Sequence, residues 1–454
     1  MLTHIANENF SRLSFWPRVR EFAVPPAMIE TATARRLVRD WAGACAAAGF
    51  DVDIDLRSVA CRHGPELAGR IRADLRSLAP DLLRWHMPRI APDGLLRPGL
   101  TIALARYETG CGSARFLYLV VRTAPAWADA GQRISLALWD GSTAGRHPHP
   151  RPDRRFRLDL HRHLWDARRV GELRVRSGAE GHHTPLDPEL RTAITGFDHC
   201  AVNRWAAEGE ILCQAEGRTT TTFVVRYGAK RRLVLDLAAA DGLRTLRIAS
   251  EYPTGAMSVL PVLPDAATWV LPDLALLRAG AITPDRLHPL VASALVPGYS
   301  PDAPQAPDST GERLVECRGE QHRIGLVDGV LAALDHDPAE LRREELLAAL
   351  SGTPLPCLQA IDTAHRQPDW LSGVRERLDH GDIAGALAVV EGLLGPEALL
   401  RDGALRDELD AAARRRIVHG LFRAGLSEPG TGRVPPRSRR SRDRRAHPRN
   451  ASSH

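Results

Sequence analysis

The residues with the clearest chemical potential lie in one short run, Asp159-Leu160-His161-Arg162-His163-Leu164-Trp165-Asp166. On a β-strand, alternate side chains share a face, so Asp159, His161 and His163 would project together. Neutral imidazoles and a carboxylate are ligands that suit zinc, iron or manganese. The run therefore predicts a divalent-metal site, and with it a metal-dependent hydrolase or nuclease as one hypothesis for the function.

The His-x-His pair resembles the start of the metal sites in metallo-β-lactamase-type and cupin proteins. The longer His-x-His-x-Asp-His pattern of the former is absent, because Asp166 lies one place too late and no second histidine follows it. The competing interpretation is an ordinary strand, since Phe156, Leu158 and Leu160 alternate with the polar residues and would leave the histidines on a solvent-exposed face. Further histidines cluster nearby, although two pairs fall in predicted loops: His147, His149, His182, His183 and His199.

A second constellation pairs a thiol with an imidazole, at His199-Cys200 together with Cys213. A catalytic thiolate needs access and a lowered pKa. The pattern places Cys200 in a helix over 197–205 and Cys213 in a strand, so we expect both to be buried and structural. The seven cysteines are scattered and form no Cys-x-x-Cys pair, which argues against a zinc ribbon and a disulfide framework. This usage is typical of a reduced, cytoplasmic protein.

Several chemistries are excluded because Lys230 is the only lysine. It has no Gly-Lys-Ser/Thr context, and kinase signatures are missing, so no nucleotide site is evident. Lys230 lies in a predicted turn between two strands, which does not suit a Schiff-base lysine for pyridoxal phosphate. The abundance of arginine, alanine, glycine and proline indicates a GC-rich bacterial genome. We expect no membrane span, since the most apolar stretch, 258–278, is broken by three prolines, and no secretory signal at residues 1–25.

The net charge of +6 comes from 61 basic and 55 acidic residues, and it is unevenly distributed. Residues 429–454 hold eight arginines and one aspartate, which leaves the rest of the chain at about −1. We expect a disordered basic tail over 427–454. Its arginines could contact nucleic-acid phosphates without sequence specificity. The residues concerned are Arg437, Arg439, Arg440, Arg442, Arg444 and Arg445.

The elements that would position these residues predict an α+β fold. Helical spacing over 29–48 and 66–78 precedes four alternating runs between 102 and 161, typical of an antiparallel meander. A second helix-plus-strands unit follows, then a Pro- and Asp-rich linker and a helical region. The predicted order is an N-terminal α+β domain (1–178), a second α+β domain (185–298), a linker (299–311), a helical domain (312–426) and the tail.

The helical domain carries a weak internal repeat. Leu334-Asp335-His336 recurs as Leu378-Asp379-His380, and 381–396 resembles half of a tetratricopeptide-type hairpin, although neither copy shows the full pattern. Any α-helical hairpin would give similar spacing. A protein partner for this domain is therefore the leading hypothesis: a cytoplasmic bacterial interaction or regulatory protein without a recognisable active site. The metal enzyme and a nucleic-acid-associated protein are the alternatives.

Overall fold

The structure is a computed structural model of the full chain. It describes residues 13–299 apart from the segments 110–115, 130, 143–146, 181–186, 218–220, 229–230, 241–242 and 250–255; the strands 313–317, 320–327 and 330–333; the single residues 335, 337, 339, 342, 343 and 346; and the segments 369–394 and 403–426. The basic tail and the first copy of the predicted repeat thus lie wholly or mainly outside the described residues.

Helices dominate the N-terminal part of the chain, and three of the seven begin with proline. They are α1 (Trp16–Phe22), α2 (Pro26–Leu37), α3 (Trp41–Ala47), α4 (Leu56–His63), α5 (Pro65–Ser77), α6 (Pro80–His86) and α7 (Leu173–Arg176). Proline suits the first turn because it needs no amide hydrogen bond there. The predicted apolar face of α5 is confirmed: Leu67, Ile71 and Leu75 are all buried.

A four-stranded sheet has the order β1-β6-β5-β4. Its strands are β1 (Phe50–Asp53), β4 (Thr101–Glu108), β5 (Phe116–Thr123) and β6 (Ile134–Trp139), and the short pair β2 (Arg89–Ile90) and β3 (Leu95–Leu96) lies outside it. The predicted meander is confirmed for β4, β5 and β6, which pair antiparallel. The pattern did not reveal that β1 pairs parallel with β6, because strand alternation carries no information on direction.

The fourth predicted strand of this meander is wrong. Residues 154–169 form turns and a short 3₁₀ segment at Arg162–Leu164. Each turn is closed locally: the amide of His161 donates to the carbonyl of Leu158 and that of Leu164 to the carbonyl of His161. The premise that Asp159, His161 and His163 share a strand face therefore fails.

The second part contains α8 (Pro188–Ala193), α9 (Val202–Ala215) and the antiparallel sheet β7 (Thr222–Arg226), β8 (Arg232–Ala240) and β9 (Leu243–Ile248). It continues with α10 (Asp265–Thr268), α11 (Pro272–Arg278) and α12 (Pro289–Leu295). Asp187 caps α8 through the amide of Glu189, as its position predicts. The predicted strand over 210–215 is wrong, because these residues continue α9.

Two large apolar cores and one small cluster, formed by Val224, Val234 and Leu260, lie in this part of the chain. One gathers α5, α6, β4 to β6 and the last helices through Leu295; the other gathers α8, α9 and β7 to β9 around Trp205 and Phe223. Residues 1–300 together with 416–454 form one compact unit, and residues 301–415 form another. The proposed boundary between 178 and 185 falls inside the first unit, whose first core includes Val291 from beyond it.

The 301–415 unit corrects part of the helical prediction. It contains a three-stranded antiparallel sheet, β10 (Arg313–Cys317), β11 (Glu320–Val327) and β12 (Val330–Ala333). Helices follow as predicted: α13 (Asp369–His380), α14 (Ile383–Leu394) and α15 (Ala404–Ala424). The α+β class is thus confirmed, with mainly antiparallel sheets and a helical C-terminal region. Among the described helices, none is long and apolar enough to span a bilayer.

Helix α15 ends on the first unit, at the edge strand β1. His419 lies 3.1 Å from the Ala128 carbonyl through Nδ1 and 3.3 Å from an Asp51 carboxylate oxygen through Nε2. Arg423 forms a two-pronged ion pair with Asp53, and the ring of Phe422 packs edge-on against Trp127 at 5.3 Å. These contacts tie the end of α15 to side chains of the edge strand β1 and to Trp127 and Ala128.

Candidate functional site

The three predicted metal ligands lie in two different environments. Asp159 forms a two-pronged ion pair with Arg157, with both N–O distances at 2.8 Å. His161 and His163 are buried, and their ring centroids lie 5.7 Å apart. Among the described residues, no group of three or more His, Cys, Asp or Glu side chains could hold a metal ion. Metal binding by these three residues therefore stays a prediction, without a ligand set in the described geometry.

The histidine pair belongs instead to a buried ion-pair cluster around Glu208 of α9. Arg176 approaches both carboxylate oxygens of Glu208, at 2.5 and 2.6 Å, and Arg204 one turn earlier in α9 lies at 3.2 Å. Nε2 of His161 lies 3.2 Å from the same carboxylate, although its N–H is poorly aligned for a hydrogen bond. We call these residues (His161, His163, Arg176, Arg204 and Glu208) the Glu208 cluster.

Burial and charge set the ionisation of this cluster. Burial opposes ionisation of Glu208, but contacts with His161 and Arg176 outweigh it and hold the carboxyl pKa well below its usual range. Burial, followed by the neighbouring His161 and Arg176, lowers the pKa of His163 well below its usual value. Glu208 is therefore a carboxylate at neutral pH and His163 a neutral imidazole.

His163 also borders a small cleft that is partly open to solvent. The other walls are Arg176, Ser177, the ring of Trp269 and small aliphatic side chains. Nδ1 of His163 has no hydrogen-bond partner among the described groups. The cleft contains one neutral base, and the Ser177 hydroxyl that lines it donates instead to the Arg174 carbonyl at 3.2 Å. The described residues around His163 therefore supply no complete catalytic set.

A second set of buried polar side chains surrounds α6, whose Asp81 and Trp85 take part in it. Asp273 of α11 accepts hydrogen bonds from Arg20 at 2.8 Å and from the Trp85 indole at 3.1 Å. Asp81 accepts from Nε2 of His288 at 3.0 Å, and Nδ1 of that ring accepts the Leu290 amide at 3.2 Å. The Asp–His pair has the outline of a catalytic dyad, but its second nitrogen is occupied by a helix cap. These contacts therefore join α1, α6, α11 and α12.

The remaining predicted residues do not converge on one site. Nε2 of His147 lies 3.0 Å from the Thr123 carbonyl, and His199 stacks on Trp269 at 5.2 Å. His182 and His183 lie outside the described residues. Cys200 and Cys213 are buried, as predicted, although Cys213 lies in α9 rather than in a strand. Access for a catalytic thiolate is therefore missing.

The sequence reasoning missed Glu208, Arg176 and Arg204. One usable signal was present, because Arg204 and Glu208 lie four residues apart and would share a face if 202–215 were helical. The strand predicted over 210–215 hid that spacing. Arg176 carries no local signal at all, since its partner is 32 residues away.

The hairpin of α13 and α14 provides a site of another kind. Gly381 turns the chain with φ +88°, a conformation that favours glycine, and Asp382 caps α14 by accepting the Gly385 amide at 2.9 Å. Inside the hairpin, Val374, Leu378, Ala386 and Val390 are buried. Helix α14 has one charged residue, Glu391, and its outer face exposes Ala384, Leu387 and Ala388. We call this outer surface the α14 face.

Comparison with protein-family models, with curated proteins and with solved structures finds no match to this chain. The arginines predicted to contact nucleic acid lie outside the described residues.

Proposed function

We propose that this chain is an interaction or regulatory protein of a bacterial cytoplasm, and that the α14 face binds a helix of a protein partner. The observation that carries the proposal is the composition of α14. A helix that is apolar on all sides is normally buried on all sides. Among the described side chains of α14, one side is buried in the hairpin, whereas on the other side Leu387 keeps 40% of its surface exposed.

The chemistry of the α14 face indicates the kind of partner. Ala384 and Ala388 are small and one turn apart, so a second helix can approach closely, and Leu387 supplies the larger apolar contact. Glu391 borders the same face and favours a basic residue on the partner. A short amphipathic helix with small apolar residues and one flanking Arg or Lys fits this surface.

The Glu208 cluster supports a non-catalytic function. Its carboxylate is saturated by two arginines and faces a histidine, and the Asp81–His288 pair is closed by a cap. Groups committed in this way stabilise the fold and are not available to substrate. None of the four described cysteines, Cys45, Cys61, Cys200 and Cys213, forms a disulfide, which supports the proposal of a reduced compartment.

The test places a photo-crosslinking amino acid at position 387 of the full chain in its host, with position 37 as the control. Leu37 is also an exposed leucine on a helix, 73% exposed. We expect one discrete adduct at 387 and none at 37. The captured protein is then purified, and its affinity for wild type is compared with that for Leu387→Glu and Leu37→Glu.

We expect Leu387→Glu to weaken this binding at least tenfold and Leu37→Glu to leave it unchanged. Absence of an adduct specific to 387, or a captured protein that binds Leu387→Glu as tightly as wild type, contradicts the proposal.

The metal-dependent hydrolase or nuclease remains the alternative prediction, and elemental analysis discriminates it. Purified wild type is compared with His161→Ala and His163→Ala. About one metal ion per chain in wild type, lost in both variants, would favour the enzyme. Negligible metal in all three forms would favour the interaction protein.

A further inference from the structure

The end of α15 is held on the first unit by a histidine that has an acceptor oxygen at each ring nitrogen. Nδ1 of His419 lies 3.1 Å from the carbonyl oxygen of Ala128, and Nε2 lies 3.3 Å from a carboxylate oxygen of Asp51. The His419 side chain is 10% exposed, so water has little access to either contact. Neither the α14 face nor the Glu208 cluster takes part in this arrangement.

One protonation state of His419 satisfies both oxygens. A carbonyl oxygen accepts hydrogen bonds and cannot donate one. A neutral imidazole has one N–H and one lone pair, so one of its nitrogens would face an oxygen with no proton between them. The imidazolium donates from both nitrogens. The geometry therefore fits a positively charged His419.

Asp51 does not supply the missing proton itself. Burial opposes ionisation of its carboxyl group, but the hydrogen bonds from His419 and Arg133 outweigh burial and hold its pKa below the usual range. Asp51 also accepts from Nε of Arg133 at 3.1 Å. It is thus a carboxylate at neutral pH, and the proton between Asp51 and His419 comes from the imidazole.

The surrounding charges keep their sign while histidine titrates. Asp51 is paired with Arg133, and Asp53 with Arg423. Aspartate and arginine side chains stay charged between pH 6 and 8, so among the charged groups of the elements that meet here only His419 can change its charge. Besides His419, these groups are Asp51 and Asp53 of β1, Arg122 of β5, Asp129 and Arg133 before β6, and Arg415, Arg416 and Arg423 within about one turn on α15.

We propose that His419 makes the attachment of α15 to β1 sensitive to pH, so that the end of the helix detaches as the pH rises and His419 releases its proton to solvent. Deprotonation leaves a nitrogen lone pair opposite either the Asp51 carboxylate or the Ala128 carbonyl. The attached state binds a proton that the detached state releases, so attachment is favoured at low pH and weakened at high pH. Detachment would expose the Phe422 and Trp127 rings, which pack edge-on at 5.3 Å.

The test is hydrogen exchange of the full chain, followed by mass spectrometry at pH 6 and pH 8 and corrected for the intrinsic effect of pH on exchange. One bound proton changes the ratio of attached to detached states by at most about tenfold per pH unit. We expect the protection of residues 416–426 to fall at least about fivefold between the two conditions. The buried face of α5 is the internal reference and should keep its protection.

His419→Gln is the test variant and His149→Gln the matched control, because His149 is an exposed histidine of the same unit. Glutamine keeps a donor group but does not titrate. We expect His419→Gln to remove the pH dependence of protection at 416–426 and His149→Gln to retain it. A merely structural role of His419 would instead lower the protection by the same factor at both pH values.

Asp51→Asn is a second variant that keeps the test decisive should His419→Gln fail to fold. An asparagine amide can donate to the unprotonated nitrogen of a neutral imidazole, so the contact no longer requires the extra proton. We expect the protection of 416–426 to become independent of pH in this variant. Equal protection of 416–426 at pH 6 and pH 8 in wild type overturns the proposal, and so does a pH dependence that persists in His419→Gln.

Discussion

Replacement of Glu208 by glutamine tests the central energetic claim, that the Glu208 cluster holds α9 to the segments carrying His161 and Arg176. The side chain is 2% exposed and contacts Arg176 at 2.5 Å. Removal of one partner of a buried ion pair costs about 3–5 kcal/mol, because the remaining charge stays buried. The two arginine side chains are 13% and 14% exposed, so water can partly replace the carboxylate. We therefore expect the low end, about 3 kcal/mol.

The assay is urea unfolding of the full chain, followed by tryptophan fluorescence. Eight of the nine tryptophans lie between residues 16 and 269, so the signal reports on the first unit. A loss of about 3 kcal/mol should lower the Tm by about 4 °C in a unit of this size. Glu210→Gln is the control, because Glu210 lies on the same helix and accepts a hydrogen bond from the Gln214 side chain at 3.2 Å.

A double-mutant cycle with Arg176→Met separates the ion pair from other effects. Removal of both partners should cost less than the sum of the single changes by at least about 1 kcal/mol, since no unpaired charge is left. The reasoning is refuted if Glu208→Gln lowers the free energy of unfolding by less than about 1 kcal/mol, or no more than Glu210→Gln does.

Three further predictions concern other parts of the first unit. Burial lowers the pKa of His86 from 6.5 to about 4. The contribution of His86 to stability is therefore complete above pH 6.5 and is lost as the pH falls towards 4, by at most about 3 kcal/mol. His86→Asn should flatten the dependence of the unfolding free energy on pH between 7 and 5, and an unchanged slope would contradict the assignment. Asp51 is partly buried, which opposes its ionisation, but hydrogen bonds led by that from His419 lower its pKa below the usual range. Asp51→Asn should cost about 1–2 kcal/mol at pH 7 by urea unfolding. The deficit should shrink below pH 4, because the carboxyl group of the unfolded wild type takes up a proton there while the native carboxylate stays ionised. A Cβ on Gly209 would lie 2.4 Å from the Phe223 ring. Gly209→Ala should therefore lower the free energy of unfolding by about 1–2 kcal/mol, although alanine has the better helix propensity. A more stable variant would show that the Phe223 ring moves aside without cost.

Elements with a strong local period could be predicted from the sequence, and elements defined by distant partners could not. Helix α5 shows its stripe of Leu67, Ile71 and Leu75, and β4 to β6 show clean alternation. The run from Phe156 to Leu160 also alternates, yet it forms turns because its backbone groups find partners within three or four residues. Its alternation reflects two environments, the apolar core and the ion pairs, and not a pleated strand.

The candidate site was located only in part for the same reason. His161 and His163 could be predicted as a candidate site because they alternate with Asp159 and carry side chains that suit a metal ion. Glu208 and Arg176 looked like ordinary surface charges in an arginine-rich chain. A charged residue stabilises this fold when it is buried in an ion pair. Its burial depends on contacts between residues far apart in sequence, such as that of Arg176 with Glu208 across 32 residues, and no local pattern reveals such contacts.

The way α15 ends on β1 has a consequence for how the chain would respond to cleavage. Since the first unit is built from residues before 300 and after 416, residues 301–415 are an insertion within it. A single proteolytic cut in the insertion would leave two fragments still held by the ion pairs of His419 and Arg423 and by the Phe422–Trp127 contact. Such a nicked protein should migrate as one particle under native conditions. The two fragments would separate only when denatured, so the C-terminal helix acts as a noncovalent closure of the first unit.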